Sequence, residues 1–539
     1  MTAAPVLDHD DLQRWRACER RFWLQRHGPL AGSDGFAASD AIGETDAEVA
    51  SADAVVDGPA PGAALRATFP RAVTIAAPRT PAEWDEAAQQ TANALAARLA
   101  GRAAAREDWA LFGACLAAAD GTRVRIDVVA QGERGLRIFK LRLATAASEA
   151  DVDVALLWAH VAARCGLPLE SAGLLLVDTG FVYPGHGCYA GLFREVDLGP
   201  MLGSRPIASW LAAMRACDRE PAPQAQPGPQ CSRLGGCPFI DGCRADDPRA
   251  GAAAIAAMAA VGARGCARLE IVGRELAAEL RREGHSDLLD VPLERFADPR
   301  HQRAVRAIQQ GRAVLEPGVA ELMRAQPYPR HLLRFDTVGF AVPVWAGTQP
   351  YQVLPFQWSC DVQAAPGDGA ALLRHGFLAD ASRDPRREFA STLLQVLGTE
   401  GAVFAYNAGF ERNRIRDLAR LFDDLRPALE AILPRMVDLF QIARANLYHP
   451  AMCGSWSFRS VFGAIAPELH AGQFDAGGLT SAQAAFAQSL RRGLDRERVE
   501  SLRAALRAHG RRQTEALRRM VALFENGGEG AGPGVPPAR

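Results

Sequence analysis

From Asp8 the chain reads DHDDLQRWRACERRFWLQRH, with an acidic first turn and with Leu12, Trp15, Cys18 and Phe22 spaced along one helix face. That period predicts a helix whose inward side carries Cys18. A second helix is predicted from Pro81 to about Leu99, with Thr80 placed to cap it. RVRIDVVAQGERGLRIFKLRLAT reads as two strands around a turn at Gly132 to Gly135, DVDVALLWAHVAARCG as a buried helix, and SAGLLLVDTGFVY as another strand. After the linker PAPQAQPGPQ, Ala- and Arg-rich sequence predicts helices to about Pro329. Within it ELAAELRREGHSDLLDVPLERF has the pattern of helix, glycine turn and helix. Strands return with HLLRFDTVGF and PYQVLPFQWSCDV, and a third, GAVFAYNAGF, runs into a helix. Strands mixed with helices at both ends predict an α/β (α+β) fold in each end module.

At 539 residues the chain is too long for one ordinary core, and the pattern divides it into modules. A first module is expected over 1–245, with a loose Ala-, Gly- and Pro-rich insertion at about 32–62. A helical connector follows over 246–328, then a last module over 329–527 and a disordered tail over 528–539. The 48% hydrophobic and 23% charged composition is that of globular protein, and no apolar run approaches the roughly 18 residues of a membrane helix. The acidic start MTAAPVLDHDD lacks the basic-then-apolar pattern of a signal peptide, so a cytoplasmic setting with reduced thiols and no membrane partner is expected. A net charge of −1 argues against wholesale coating of nucleic acid. Of 61 basic residues Lys140 is the only lysine, as a genome rich in G and C would produce. The basic segment RRGLDRERVESLRAALRAHGRRQTEALRRM reads equally as a solvated helix face or a phosphate-binding surface.

Candidate chemistry begins at QCSRLGGCPFIDGC, where Cys231, Cys237 and Cys243 recur every six residues. Clustered thiols in a reducing compartment bind metal more readily than each other. Four thiolates suit zinc or an iron-sulfur cluster, and this spacing is wider than that of zinc ribbons. Cys18, in CERRFW, is the natural fourth ligand. The remaining cysteines, Cys115, Cys165, Cys188, Cys217, Cys266, Cys360 and Cys453, stand alone in apolar or small-residue surroundings and are expected in the core. An early Cys in a CxRRxW-like helix, a strand bearing an Asp, a strand pair and a late cysteine trio resemble the iron-sulfur subset of RecB-like, PD-(D/E)XK nucleases, which includes the CRISPR adaptation nucleases. The resemblance implies a restriction-endonuclease-like fold stapled by a 4Fe-4S cluster, with zinc as the alternative.

Nucleases of that group carry an Asp on one strand and Glu-x-Lys on the next, the acids holding a divalent metal beside an adjustable lysine. Asp127 in RIDVV matches the first acid. On the next strand, residues 138–142 give Ile138, Lys140 and Arg142, with no acid in either register, and Leu157 stands where relatives have Gln. A lone carboxylate holds Mg²⁺ poorly, so Asp127 is a residual position and a turn-capping role is favoured.

The stretches HLLRFDTVGFAVPVWAGTQPYQVLPFQWS, VFAYNAGFERNRIRDLARLF, MVDLFQIARANLYHPAMCGSWSFRSVF and HGRRQTEALRRMV resemble the bacterial family called domain of unknown function 2779. That family resembles ribonuclease H-like, DnaQ-type exonucleases, whose acids on a strand, a helix and a last helix hold two metal ions. Carried over residue by residue, the opening Asp-x-Glu becomes Arg334 and Asp336. NAGFE supplies Asn407, Phe410 and Glu411. The final acid becomes Gln513, with His509 at the general-base position. Arg334 is expected to occupy the space of a metal and to pair with Asp336 and Glu411. These readings together imply a catalytically degenerate nuclease homologue that binds DNA or RNA, or a nuclease or helicase partner. The alternative is an active Mg- or Mn-dependent exonuclease running on Asp336, Glu411 and His509 with a migrated acid such as Asp438 or Glu515.

Overall fold

The computed structural model describes residues 6–27, 55–56, 61–100, 109–219, 221–226, 228–232, 237–245, 265–367, 372–380, 383–470, 481–491 and 493–527. They fall into two compact units, one of residues 6–27, 61–245 and 340–351, the other of 55–56, 265–339 and 352–527. Most of the expected insertion at 32–62, the stretch 246–264 and the tail 528–539 lie outside the described residues.

In the first unit, helices α1 (His9–Ala17), α2 (Glu19–His27) and α3 (Pro81–Ala100) precede most of a mixed sheet. Its strands run in the order β1 (Val73–Thr74), β2 (Ala110–Ala117), β3 (Arg123–Gln131), β4 (Leu136–Arg142), β5 (Leu169–Val177) and β6 (Phe193–Asp197). β3 and β4 form the expected hairpin, its turn closed by Gly132 N donating to Gly135 O at 2.8 Å. β4 and β5 are parallel, which requires a crossover, and α4 (Glu149–Arg164) supplies it. Ser148 and Asp151 cap α4 reciprocally, and Leu157 and Trp158 are among its buried residues. With α5 (Ile207–Arg219) these elements share one core, which joins Leu12, Phe22, Trp158, Leu211 and Met214.

The single helix expected from Asp8 is two helices. Cys18 is extended, at φ −166° and ψ 119°, and separates α1 from α2. The apolar spacing runs on through this break, so period alone does not show it.

In the second unit the sheet order is β9 (Leu372–Leu378), β8 (Leu354–Gln363), β7 (Arg330–Phe340), β10 (Ala402–Ala405), β11 (Met436–Asp438). The first three strands are antiparallel and β7, β10 and β11 parallel. Alternation along β7 sends Leu333 and Phe335 into a cluster with Phe389, Val403 and Ile415, and Leu332 into another with Phe404, Leu517 and Phe524. Arg334 and Asp336 therefore lie on Leu332's face. Helices α6 (Pro299–Gln310), α7 (Arg386–Leu397), α8 (Gly409–Leu421) and α9 (Arg496–Glu525) belong to this unit.

α9 is held against the sheet by two devices. Arg330, 1% exposed, pairs with Glu525 and donates to Met323 O at 2.6 Å. Gly510 sits mid-helix, where glycine ordinarily costs stability, but a Cβ there would collide with Ser359 Oγ and Gln357 Nε2 on β8. Gln357 Nε2 donates to Leu506 O at 2.8 Å, an approach that a larger residue at 510 would block.

Three expectations change in this unit. The second helix of the expected hairpin after Gly284 does not form. A short 3₁₀ turn, Leu293–Arg295, follows Pro292, which has no N–H to give a helix, and regular helix resumes only at Pro299 under the Asp298 cap. β9 is an additional strand whose mostly exposed LLRHGFL carries no buried alternation to announce it. Cys266 and Cys453, expected as separate core thiols, are disulfide-bonded across 187 residues of sequence. In the first unit Cys188 is exposed rather than buried.

Candidate functional site

The second unit gathers the expected positions from three elements: Arg334 and Asp336 from β7, Glu411 from the first turn of α8, and His509 and Gln513 from α9. Arg334 Nη1 lies 3.6 Å from Glu411 Oε1 and 3.3 Å from Tyr406 O. Its guanidinium carbon stands 4.6 Å from the centroid of the Phe458 ring, within cation–π range. Glu411 is wholly buried and neither of its carboxylate oxygens completes a hydrogen bond. Burial pushes its carboxyl up to about 7, against the pull of Arg334.

Asp336 is not Arg334's partner. Arg334 turns toward Tyr406 and Phe458, while Asp336 Oδ1 meets His509 Nε2 at 3.7 Å. Burial lowers the pKa of His509 despite Asp336, and Gln513 Nε2 lies 2.8 Å from the same imidazole nitrogen. With burial favouring the neutral ring, the Asp336–His509 contact is not a full ion pair at neutral pH. Asp438 caps the helix Leu439–Asn446 through Phe440 N at 3.0 Å and accepts from Asn407 N at 3.0 Å. The second bond secures Asn407 at φ 61°, the left-handed turn that leads into α8. Glu515 is engaged by Arg518 and Arg519. Among the described residues no set of three or more His, Cys, Asp or Glu stands in a metal-holding arrangement, and the charge at the centre of this site is a guanidinium.

The first unit has a smaller polar group. Asp127 Oδ2 accepts from Leu141 N at 2.8 Å, and burial raises its pKa against the pull of Lys140. Ile138 is buried in the core. Asp151 was not singled out in the sequence, yet its carboxylate lies 3.9 Å from Lys140 Nζ and 3.6 Å from Arg142 Nε. Its capping pattern with Ser148 is legible locally, but the meeting with β4 depends on the crossover. Lys140 also lies 5.6 Å from the Trp158 ring.

The same unit brings the expected thiols together. Cys18, at the break between α1 and α2, lines one small cavity of about 10 Å³ with Cys231, Cys237 and Cys243, beside Arg21 and Phe239. Burial raises the pKa of the Cys243 thiol, Arg20 opposes this, and the other three sulfurs add to the rise. Four convergent sulfurs beside arginines are a donor set suited to a thiolate-bound cationic centre, although the thiols do not stand as a closed coordination shell. Tyr406 and Phe458, which flank Arg334, were also missed; their spacings, 72 and 124 positions from Arg334, carry no local signal.

Fold and sites define a mixed α/β protein with two separate larger sheets, one unit carrying a four-thiol cavity and the other a strand–helix–helix site built around an arginine. Residues 331–457 match the family model described as Domain of unknown function (DUF2779), which covers β7 to the turn before Phe458. No curated protein and no solved structure matches the chain. No helix among the described residues is long and apolar enough to cross a membrane.

Proposed function

We propose that the chain is a nuclease-fold homologue that binds nucleic acid, or a nuclease partner, without cutting. The second unit is read as ribonuclease H-like over 329–527, and residues 1–245 as restriction-endonuclease-like, joined through 246–328. The observation that carries this reading is Arg334 beside Glu411 at 3.6 Å. Two-metal hydrolysis needs several carboxylates holding cations roughly 4 Å apart. A fixed guanidinium in their midst repels a divalent ion and takes up the acid that would hold it. The same guanidinium keeps one capacity of the metal, since its side chain is partly exposed and can donate to a phosphate oxygen.

Cys18, Cys231, Cys237 and Cys243 are proposed to hold a 4Fe-4S cluster, with zinc as the alternative centre for the same ligands. When bound, such a centre supplies four metal–thiolate bonds, and these residues would tie the α1–α2 break to the helix Ile240–Ala245. Its work here is architectural. Support comes from the shared cavity and the neighbouring arginines.

The test is incubation of the full chain with single-stranded DNA, double-stranded DNA and RNA in Mn²⁺. Binding that weakens with salt, with no products, is expected. Degradation that disappears in Asp336→Ala would show an active exonuclease instead.

A further inference from the structure

From Pro299 to Leu315 the chain carries four arginines and a histidine, and neither Asp nor Glu. Most of this stretch is α6, whose carboxyl end borders a groove of about 440 Å³, within the size range of ligand pockets. Arg306 and Gln310 from the last turns of α6, Arg312, the short strand Val314–Leu315 and Gly527 line it, all within the second unit. The other arginines of the stretch are engaged. Arg300 donates to the Asp298 carboxylate at 2.6 Å, and Arg303 donates to Glu316 Oε1 at 2.8 Å and to Arg444 O at 2.9 Å. The acids that flank the groove in sequence are taken up in the same way, Glu316 by Arg303 and Glu525 by the buried Arg330. Arg306, half-buried, and Arg312, exposed, therefore face the groove with no acid partner among the described residues.

A cation at the carboxyl end of a helix answers the helix dipole, whose negative pole amounts to roughly half a unit charge. Two guanidiniums exceed that by roughly fourfold. The last carbonyls of α6 also have partners, since Gly311 N donates to Ala307 O and Ile308 O. The surplus positive charge lines a concave wall, and an anion is its complement. Arginine presents its N–H groups as a fork that matches phosphate oxygens, and the exposed Gln310 adds an amide donor. No aromatic ring lines the groove, so it has no platform on which a base could stack. Linked phosphates concentrate two charges in one short linkage, whereas a peptide with two acidic side chains is bulkier and less dense in charge. We infer that this groove binds two linked phosphates, one to each guanidinium, without reading a base. The inference uses none of Arg334, Asp336, Glu411 or His509 and does not rest on nuclease ancestry.

The phosphates can belong to the backbone of a strand or to a free polyphosphate, and titration calorimetry on the full chain separates the two. The probes are tripolyphosphate, a ten-residue oligothymidylate and a ten-residue polyglutamate, each at several salt concentrations. Saturable binding is expected for tripolyphosphate, or for the oligonucleotide alone if the source is a strand. The double variant Arg306→Ala, Arg312→Ala should weaken it by about tenfold or more. For the oligonucleotide the same variant should also reduce the slope of log affinity against log salt by about 1.4. The double Lys variant at these positions keeps both charges and loses both forks, so it should bind with intermediate affinity, which also guards against misfolding of the Ala variant. Arg420→Ala, on the exposed face of α8, should change nothing. Binding of neither phosphate probe would overturn the inference, as would unchanged affinity and salt slope in both double variants, or polyglutamate bound as tightly as the phosphate probes. Tripolyphosphate bound through Arg306 and Arg312 with no oligonucleotide binding would count against the function proposed above and leave this inference standing. Oligonucleotide binding indifferent to both double variants would do the reverse.

Discussion

The thiol cavity of the first unit and the Arg334 site of the second are assembled in the same way, from residues far apart in sequence that the fold brings together. They differ in what remains at the meeting point. All four expected sulfurs line the first. In the second the strand, helix and last helix converge as the resemblance implies, but they deliver an arginine, a histidine and a glutamine alongside two carboxylates. On the reading proposed above, the thiol site needs four identical side chains to act as a fastener, whereas the second site needs only the backbone that positions it and also builds the core.

The strongest way to break this contrast is to remove a sulfur. Cys237→Ser or Cys18→Ser is expected to destabilise the first unit by about 3 kcal/mol or more, given the folding energy such centres carry. Calorimetry, with visible absorption and metal analysis of anaerobically purified protein, reads this; a variant as stable as the parent, with no metal in either, would remove the fastening role.

Gly510→Val tests whether position alone defines the second site. The added atoms meet Ser359 and Gln357, and a loss of about 3 kcal/mol is expected from overpacking. Chemical denaturation measures it, and a neutral result would mean that α9 does not need its close seat on β8.

Glu411 sharpens the contrast through pH. Its carboxyl is raised from the ordinary 4.5 to about 7, so between those values the folded chain keeps a proton that the unfolded chain releases. Stability from this group should therefore fall as pH rises through that window and level off above it. Glu411→Gln should remove that slope and gain on the order of 2 kcal/mol at pH 8, with the loss of Arg334's partner offsetting part of the full shift. Parallel pH profiles of parent and variant would contradict it.

The smallest effect belongs to Asp151→Ala. It removes the reciprocal cap of α4 and the carboxylate facing Lys140 and Arg142, for a cost of about 1 kcal/mol in thermal unfolding. No change would mean that the first unit's basic pair needs no acid.

What the sequence showed and what it hid follow a physical division. β7, β8, β10 and the turn into α8 were legible because buried strands and a left-handed Asn407 leave local patterns. The thiol grouping was legible because cysteine is rare and regularly spaced. The break at Cys18 was hidden by an apolar period that continues across it, and β9 by its exposed face. The Cys266–Cys453 bond, Asp151's position and the flanking of Arg334 by Tyr406 and Phe458 exist only after folding. Arg334 was read from sequence as a substituted acid; its partner choice, Glu411 rather than Asp336, depended on the direction its side chain takes over Phe458.

The central claim is that Arg334 stands where a divalent ion would. Mn²⁺ titration of the full chain, followed by calorimetry or electron paramagnetic resonance alongside Asp336→Ala and Arg334→Asp, tests it most directly. The expected result is that the parent and Asp336→Ala take up the same Mn²⁺, and that Arg334→Asp gains a site. Mn²⁺ bound by the parent and lost in Asp336→Ala would contradict it.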